Sequence, residues 1–151
     1  AIFDAMINFY ESTPVKSICF SQGGDHIGGF SGIRLKRKAM NSFFCSTKRP
    51  FQFVGSLNED VNTYTTLGSR GDLFFTFTNI QLDQKDTQTN KGGMTDAYLL
   101  SGTYVKSFHT ILMQPSSVKI SMMMCNNPRL HHLINWNNTT PMIIDESYKK
   151  H

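Results

Sequence analysis

Cysteine is scarce and scattered. Cys19, Cys45 and Cys125 have neither the close CxxC pairing of a zinc site nor the even count of a disulfide framework. They read as buried reduced thiols in a cytosolic protein. No stretch of about 18 consecutive apolar residues occurs, so neither a membrane-spanning helix nor a membrane partner is expected. The start of the chain lacks the basic-then-apolar composition of a secretory leader. No glycine-rich turn runs into Lys-Ser/Thr and no spaced glycine triplet is present, which excludes a Walker A loop and a GxGxxG fingerprint. Repeats, low-complexity tracts and linker-like stretches are also missing, so residues 1–151 read as one domain.

What is there is globular material with a basic bias. Of 151 residues, 39% are hydrophobic and 17% charged, enough to bury a sizeable core and too apolar for disorder. A net charge of +4 and a pI of about 9.0 favour polyanionic partners, nucleic acid or phosphorylated ligands, without excluding neutral ones. Ile2, Phe3, Met6, Ile7, Phe9 and Tyr10 recur at helical spacing over 1–10, and Ser12-Thr13-Pro14 ends the pattern. Residues 15–20 read as a short buried strand opening into the loop Gln22-Gly23-Gly24-Asp25-His26. Helix, loop, apolar strand and glycine-rich loop in succession indicate an α/β domain, in which ligands sit beyond the carboxyl ends of strands.

Residues 33–44 read as extended, 51–54 as an apolar run leading inward, and 58–60 as a turn. A second turn over 68–71 leads into an apolar strand at 73–77, continued as extended chain to 83; a further strand is read over 118–124. The amphipathic segment over 94–108, extendable to 113, contains Gly102, which lowers helix propensity by about 1 kcal/mol relative to Ala. The chain begins with Ala1 rather than Met and enters a helical pattern at once, so it is expected to be part of a longer protein.

The sharpest chemical feature is Asn58-Glu59-Asp60, two adjacent carboxylates between apolar segments. Burying carboxylates costs free energy unless a metal, a cation or a polar substrate meets them. Such a pair can hold a divalent cation, or one acid can act as general base while the other orients a substrate. The plainer reading is a solvated acidic turn. In the glycine-rich loop, Gly23 and Gly24 allow close backbone approach to a phosphate, and Asp25 with a nearby His could ligate a metal on a diphosphate. A tight turn capped by Asp25 has the same sequence. His109, His131 and His132 are candidate ligands or simply hydrogen-bonded histidines. Adjacent side chains diverge on a strand or a helix, so at most one of His131 and His132 is expected to point inward. Arg34, Lys36, Arg37, Lys38, Lys48 and Arg49 are interleaved with Phe43, Phe44 and Phe51. Cations that track phosphates beside rings that stack on an extruded base describe a nucleic-acid groove. On a strand, Arg34, Lys36 and Lys38 share one face and Arg37 the other, and a solvated face is the alternative.

The runs Ser21-Gln-Gly-Gly-Asp-His-Ile-Gly-Gly, Arg34-Leu-Lys-Arg-Lys-Ala, Asn58-Glu-Asp-Val-Asn-Thr-Tyr, Gly92-Gly-Met-Thr and Gly102-Thr-Tyr-Val-Lys-Ser-Phe together resemble the TET/JBP-associated glycosyltransferases, across residues 15–150. That family occurs in phages and beside eukaryotic DNA-modifying dioxygenases. The resemblance implies a partial GT-A-like fold, that of nucleotide-diphospho-sugar transferases, with a mixed sheet and flanking helices. It implies transfer of a hexose or pentose, with inversion, from a nucleotide-sugar to a hydroxymethylated pyrimidine in DNA.

Asn58-Glu59-Asp60 matches the x-Glu-Asp motif of inverting members, which makes Asp60 the implied base for the acceptor hydroxyl and places Glu59 and Asn58 in the acceptor site. A divalent metal, Mn or Mg, on the diphosphate is implied with Asp25 as ligand; the loop reads Gly-Gly-Asp-His rather than Asp-x-Asp. A C-terminal His that touches metal or diphosphate is implied too, either His109 or His131. Gly23 and Gly24 then face the donor, and Arg34, Lys36, Arg37 and Lys38 hold the DNA backbone. GT-A domains begin with a Rossmann-like nucleotide-binding half, so residues 1–151 are expected to be the C-terminal catalytic and acceptor portion, with most of that half missing. The expected compartment is a bacterial or phage-infected host cytoplasm, or a eukaryotic nucleus. Two other classes stay open: a metal-dependent nuclease using Glu59, Asp60 and one His, and a non-catalytic nucleic-acid-binding or phage structural module.

Overall fold

Five consecutive buried residues, Ser17–Ser21, mark the centre of the fold. A strand is buried at every position only when its sheet is covered on both faces. The computed structural model describes residues 1–21, 33–34, 42–83, 95–124 and 128–139. In chain order these form α1 (Ile2–Ser12), β1 (Ser17–Ser21), β2 (Ile33–Arg34), β3 (Phe43–Phe44), α2 (Glu59–Ser69), β4 (Phe74–Gln81), α3 (Thr95–Met113), β5 (Val118–Met123), β6 (Arg129–Ile134) and a 3-10 turn, Trp136–Thr139. The main sheet is mixed, with order β2-β4-β1-β3; β1 runs parallel to β4, and the two outer pairings are antiparallel. β5 and β6 form a separate antiparallel pair in which Val118 faces Ile134 and Met123 faces Arg129. This is the mixed α/β architecture with flanking helices that the sequence indicated.

Alternation along β1 and β4 divides the core between two faces. Ile18 and Phe20 join Met6 and Tyr10 of α1, Val15 and Leu73, with Phe75 and Phe77 packed against them. On the opposite face Phe74, 2% exposed, packs with Val61 and Tyr64 of α2, and Phe43, Phe51 and Trp136 close the cluster. Burying each such side chain contributes about 1.5–3 kcal/mol. Cys19 lies in the ladder with its Sγ 3.2 Å from Thr76 Oγ1, a buried thiol, while Cys45 is exposed.

α1 ends where the sequence places its stop. Thr13 Oγ1 and Ser12 Oγ donate to Phe9 O at 2.7 and 3.0 Å, and Pro14 cannot continue the helix. Arg49 then covers the helix end: its guanidinium donates to Tyr10 O at 2.7 Å and to Thr13 O, and lies 3.9 Å from the centroid of the Tyr10 ring. A cation at a helix C-terminus meets the carbonyls left without intrahelical partners. Arg49 is therefore engaged in holding the fold.

Three readings change. Residues 58–60 are the start of α2, not a free turn, and the helix continues to Ser69. Residues 51–54 form no regular element, and Phe53 is half exposed. β6 was not anticipated. The expected helix over 94–113 is present as α3 but broken at Gly102, whose φ of 60° and ψ of −159° are non-helical. Of the extended stretch over 33–44, the described residues are strand at both ends. Among the described residues no helix is long and apolar enough to cross a membrane.

Candidate functional site

α2 forms despite a poor helical composition. Its residues Val61–Thr66 are all buried, and four of those six are Asn or Thr. Buried hydroxyls require partners. Thr65 Oγ1 donates to Val61 O at 2.7 Å and Thr63 Oγ1 to Glu59 O at 2.5 Å, so both satisfy themselves within the helix. Thr63 Oγ1 also accepts the Val54 amide at 2.9 Å, which lays the 51–54 segment along the helix. Glu59 and Asp60 occupy the first turn, where negative charge is favoured by the helix dipole.

Asn58 is the helix N-cap, in the left-handed region with φ 53° and ψ 39°. It is 3% exposed. Its side chain makes no cap bond to its own helix. Nδ2 instead reaches Thr110 Oγ1 at 2.9 Å, Lys106 O at 3.3 Å and His132 Nδ1 at 3.3 Å. One turn along, Asn62 donates from Nδ2 to Leu57 O at 2.8 Å and stands 3.4 Å from His109 Nδ1. The start of α2 therefore meets α3 and β6, and this corner collects Asn58, Asp60, Lys106, His109, His131 and His132.

Electrostatics at the corner follow from burial. Burial raises the Asp60 carboxyl from its ordinary value, and the neighbouring Glu59 adds to this; the Val61 backbone amide and the Lys106 ammonium pull the other way. Burial also drives His132 down to about 3, with smaller contributions from His131 and Lys106. His131 is lowered by burial as well, with Lys106 and Arg129 acting in the same direction and its bond to the His132 carbonyl opposing. Both imidazoles are neutral at physiological pH. His131 Nδ1–H donates to His132 O at 2.9 Å, which leaves its Nε2 with the lone pair. His132 Nδ1 faces the Asn58 amide donor, so its proton sits on Nε2.

The His131 and His132 rings do not diverge as expected: their centroids are 4.0 Å apart, with 31° between planes, and both are partly buried. The bond from His131 to the next residue's carbonyl folds its ring back along the strand, which overrides the alternation of an ideal strand. Among the described residues, no three His, Cys, Asp or Glu side chains converge as a metal site. The Lys106 charge beside the histidines opposes a cation held by them alone.

Of the other residues singled out in the sequence, Arg34 lies in β2, paired through its backbone with Thr76. Gly23, Gly24, Asp25, Lys36, Arg37 and Lys38 lie outside the described residues. Glu59 is exposed. Lys106 and Thr110 were not anticipated, though a signal was present: Lys106, His109 and Thr110 stand at i, i+3 and i+4, one polar face of a helix.

Residues 1–93 match the family model described as TET-Associated Glycosyltransferase. That stretch spans α1 through β4 and includes Asn58, Glu59 and Asp60, while Lys106 and the three histidines of the corner lie beyond it. Comparison with curated proteins and with solved structures gives no significant match.

Proposed function

Because the chain belongs to the TET-associated glycosyltransferase family, we propose that it transfers a sugar, with inversion, from a nucleotide-sugar to the hydroxyl of a hydroxymethylated pyrimidine in DNA, with Asp60 as the base. The fold is read with it as the acceptor-side part of a GT-A-like domain. One observation carries the reading: Asp60 stands at the start of α2 with its proton affinity raised by burial, in a corner that also holds a cation and two neutral imidazoles. A base is most effective when its pKa approaches the working pH, and desolvation moves a carboxylate that way.

In the proposed step the acceptor O–H proton passes to Asp60. The acceptor oxygen bonds to the anomeric carbon as the bond from that carbon to the diphosphate oxygen breaks. The nucleoside diphosphate departs with the electron pair, and configuration inverts because attack and departure are on opposite faces. The Lys106 ammonium works against the rise that burial gives the Asp60 pKa and so favours the ionised carboxylate. Glu59, exposed beside it, is available to the acceptor's polar edge. A divalent ion would neutralise the diphosphate; Asp25 is its proposed ligand, with His109 or His131 as a second contact, and no step above is routed through it. Arg34, Lys36, Arg37 and Lys38 are the proposed contacts to the DNA backbone.

The test uses the whole protein with a panel of nucleotide-sugars and hydroxymethylated DNA. The expected product is DNA heavier by one sugar per modified base. Asp60→Asn is expected to abolish transfer while leaving fold and DNA binding intact, and near-normal turnover in that variant removes Asp60 as base. Cut phosphodiester bonds in place of added mass transfer support to a nuclease. DNA binding indifferent to Glu59 and Asp60, with no turnover, supports a binding module.

A further inference from the structure

Asn is a common N-cap because its side chain bonds the amides of its own first turn. Asn58 does not do this. Among the described residues it alone, apart from glycine, has a positive φ, and its amide points away from its helix. The acceptors it meets are 48, 52 and 74 residues distant and belong to two other elements, α3 and β6. Two N–H groups face three acceptors: Thr110 Oγ1, the Lys106 carbonyl and His132 Nδ1. A side chain that is 3% exposed and so committed is not free for a substrate. Glu59 and Asp60 follow it directly, so where Asn58 is fixed, the first turn of α2 is fixed. The same clamp holds the Lys106 backbone, whose ammonium acts on Asp60.

We propose that Asn58 is a positioning residue for Asp60: its left-handed backbone and inward amide lock the first turn of α2 onto α3 and β6, setting the carboxylate's place and burial. The inference rests on the reading of Asp60 as the base. It assigns Asn58 to Asp60 and not to the acceptor.

The experiment follows the Asp60 carboxyl by carbon NMR titration, a readout independent of turnover, alongside kinetics on the whole protein. Asn58→Gly keeps the left-handed backbone accessible and removes the amide. The Asp60 midpoint is expected to fall back toward that of an ordinary carboxylate, because a loosened turn is hydrated. In parallel kcat is expected to drop about 100-fold with donor KM little changed, the usual cost of misplacing a catalytic group by about 1 Å. Thr65→Val, which removes a buried hydroxyl bonded only within α2 at Val61 and Asn62, should lower stability and leave the Asp60 midpoint in place. If Asn58→Gly does not fold, Thr110→Val removes one acceptor and should shift the midpoint partway in the same direction. An unmoved Asp60 midpoint in every folded Asn58 and Thr110 variant overturns the proposal. Persistent turnover in Asp60→Asn instead overturns the reading of the base, so the two failures are distinct.

Discussion

Gly55→Ala isolates the packing of the corner. Gly55 has a φ of 80°, and a Cβ built there would stand 2.7 Å from His109 Cε1 and 2.9 Å from Asn62 Nδ2. Two penalties follow. Placing Ala in the left-handed region costs about 1–2 kcal/mol. Carbon contacts are comfortable near about 3.5–4.0 Å, so the imidazole must withdraw by about 1 Å, and overpacking of that kind costs about 1–3 kcal/mol. Asn62 has no exposed surface, so its amide cannot swing out, and the ring has to yield. The total, about 2–5 kcal/mol, corresponds to a loss of about 5–15 °C in Tm for a chain of this size. Urea denaturation of wild type, Gly55→Ala, His109→Ala and the double variant completes a cycle. With the ring gone, the cost of the Gly55→Ala change should shrink by at least about 1 kcal/mol, a coupling typical of touching residues. An identical cost in both backgrounds would show that His109 does not rest on Gly55 and would refute the geometry of the corner.

Three further outcomes are expected. His132 has its pKa lowered from 6.5 to about 3, so the folded state prefers the neutral ring: the associated stability is complete above 6.5 and is lost as pH falls toward 3. The urea midpoint should decline over that window, and His132→Gln should flatten the decline. Asp60 has the opposite sign, because its folded pKa is raised from 3.8: stability is lost as pH rises through the folded pKa, and Asp60→Asn should raise the urea midpoint at pH 7 even as transfer is lost. Arg49→Ala removes the charged donor at Tyr10 O and Thr13 O and should cost about 2–3 kcal/mol, with amide exchange accelerating in the last turn of α1.

The parts of the fold that were legible are those where apolar spacing and burial agree. Met6 and Tyr10 lie one helical turn apart, and Ile18, Phe20, Phe75 and Phe77 follow the alternation of strands, so α1, β1 and β4 could be read directly. α2 could not. Its buried side is made by Asn62, Thr63, Thr65 and Thr66, which in a sequence look like loop residues because nothing there shows the hydroxyls bonding their own helix. β6 was hidden in the same way by His131 and His132, polar residues half-buried on a strand. For the site, the acidic pair was visible as a motif, but its wall was not. Lys106, Thr110 and His132 come from elements beyond β4, and only the fold brings them to Asn58.

Cys19 and Thr76, side by side in the parallel ladder, are 57 residues apart in the chain. The partners of the Asn58 amide are as distant or nearly so. Loops of that length must close before any such contact is rewarded, whereas the helices form on near neighbours. The corner around Asn58 is therefore expected to assemble late in folding. A molecule with its helices and hairpin formed can still lack the corner, so the appearance of activity during refolding should trail the recovery of secondary structure.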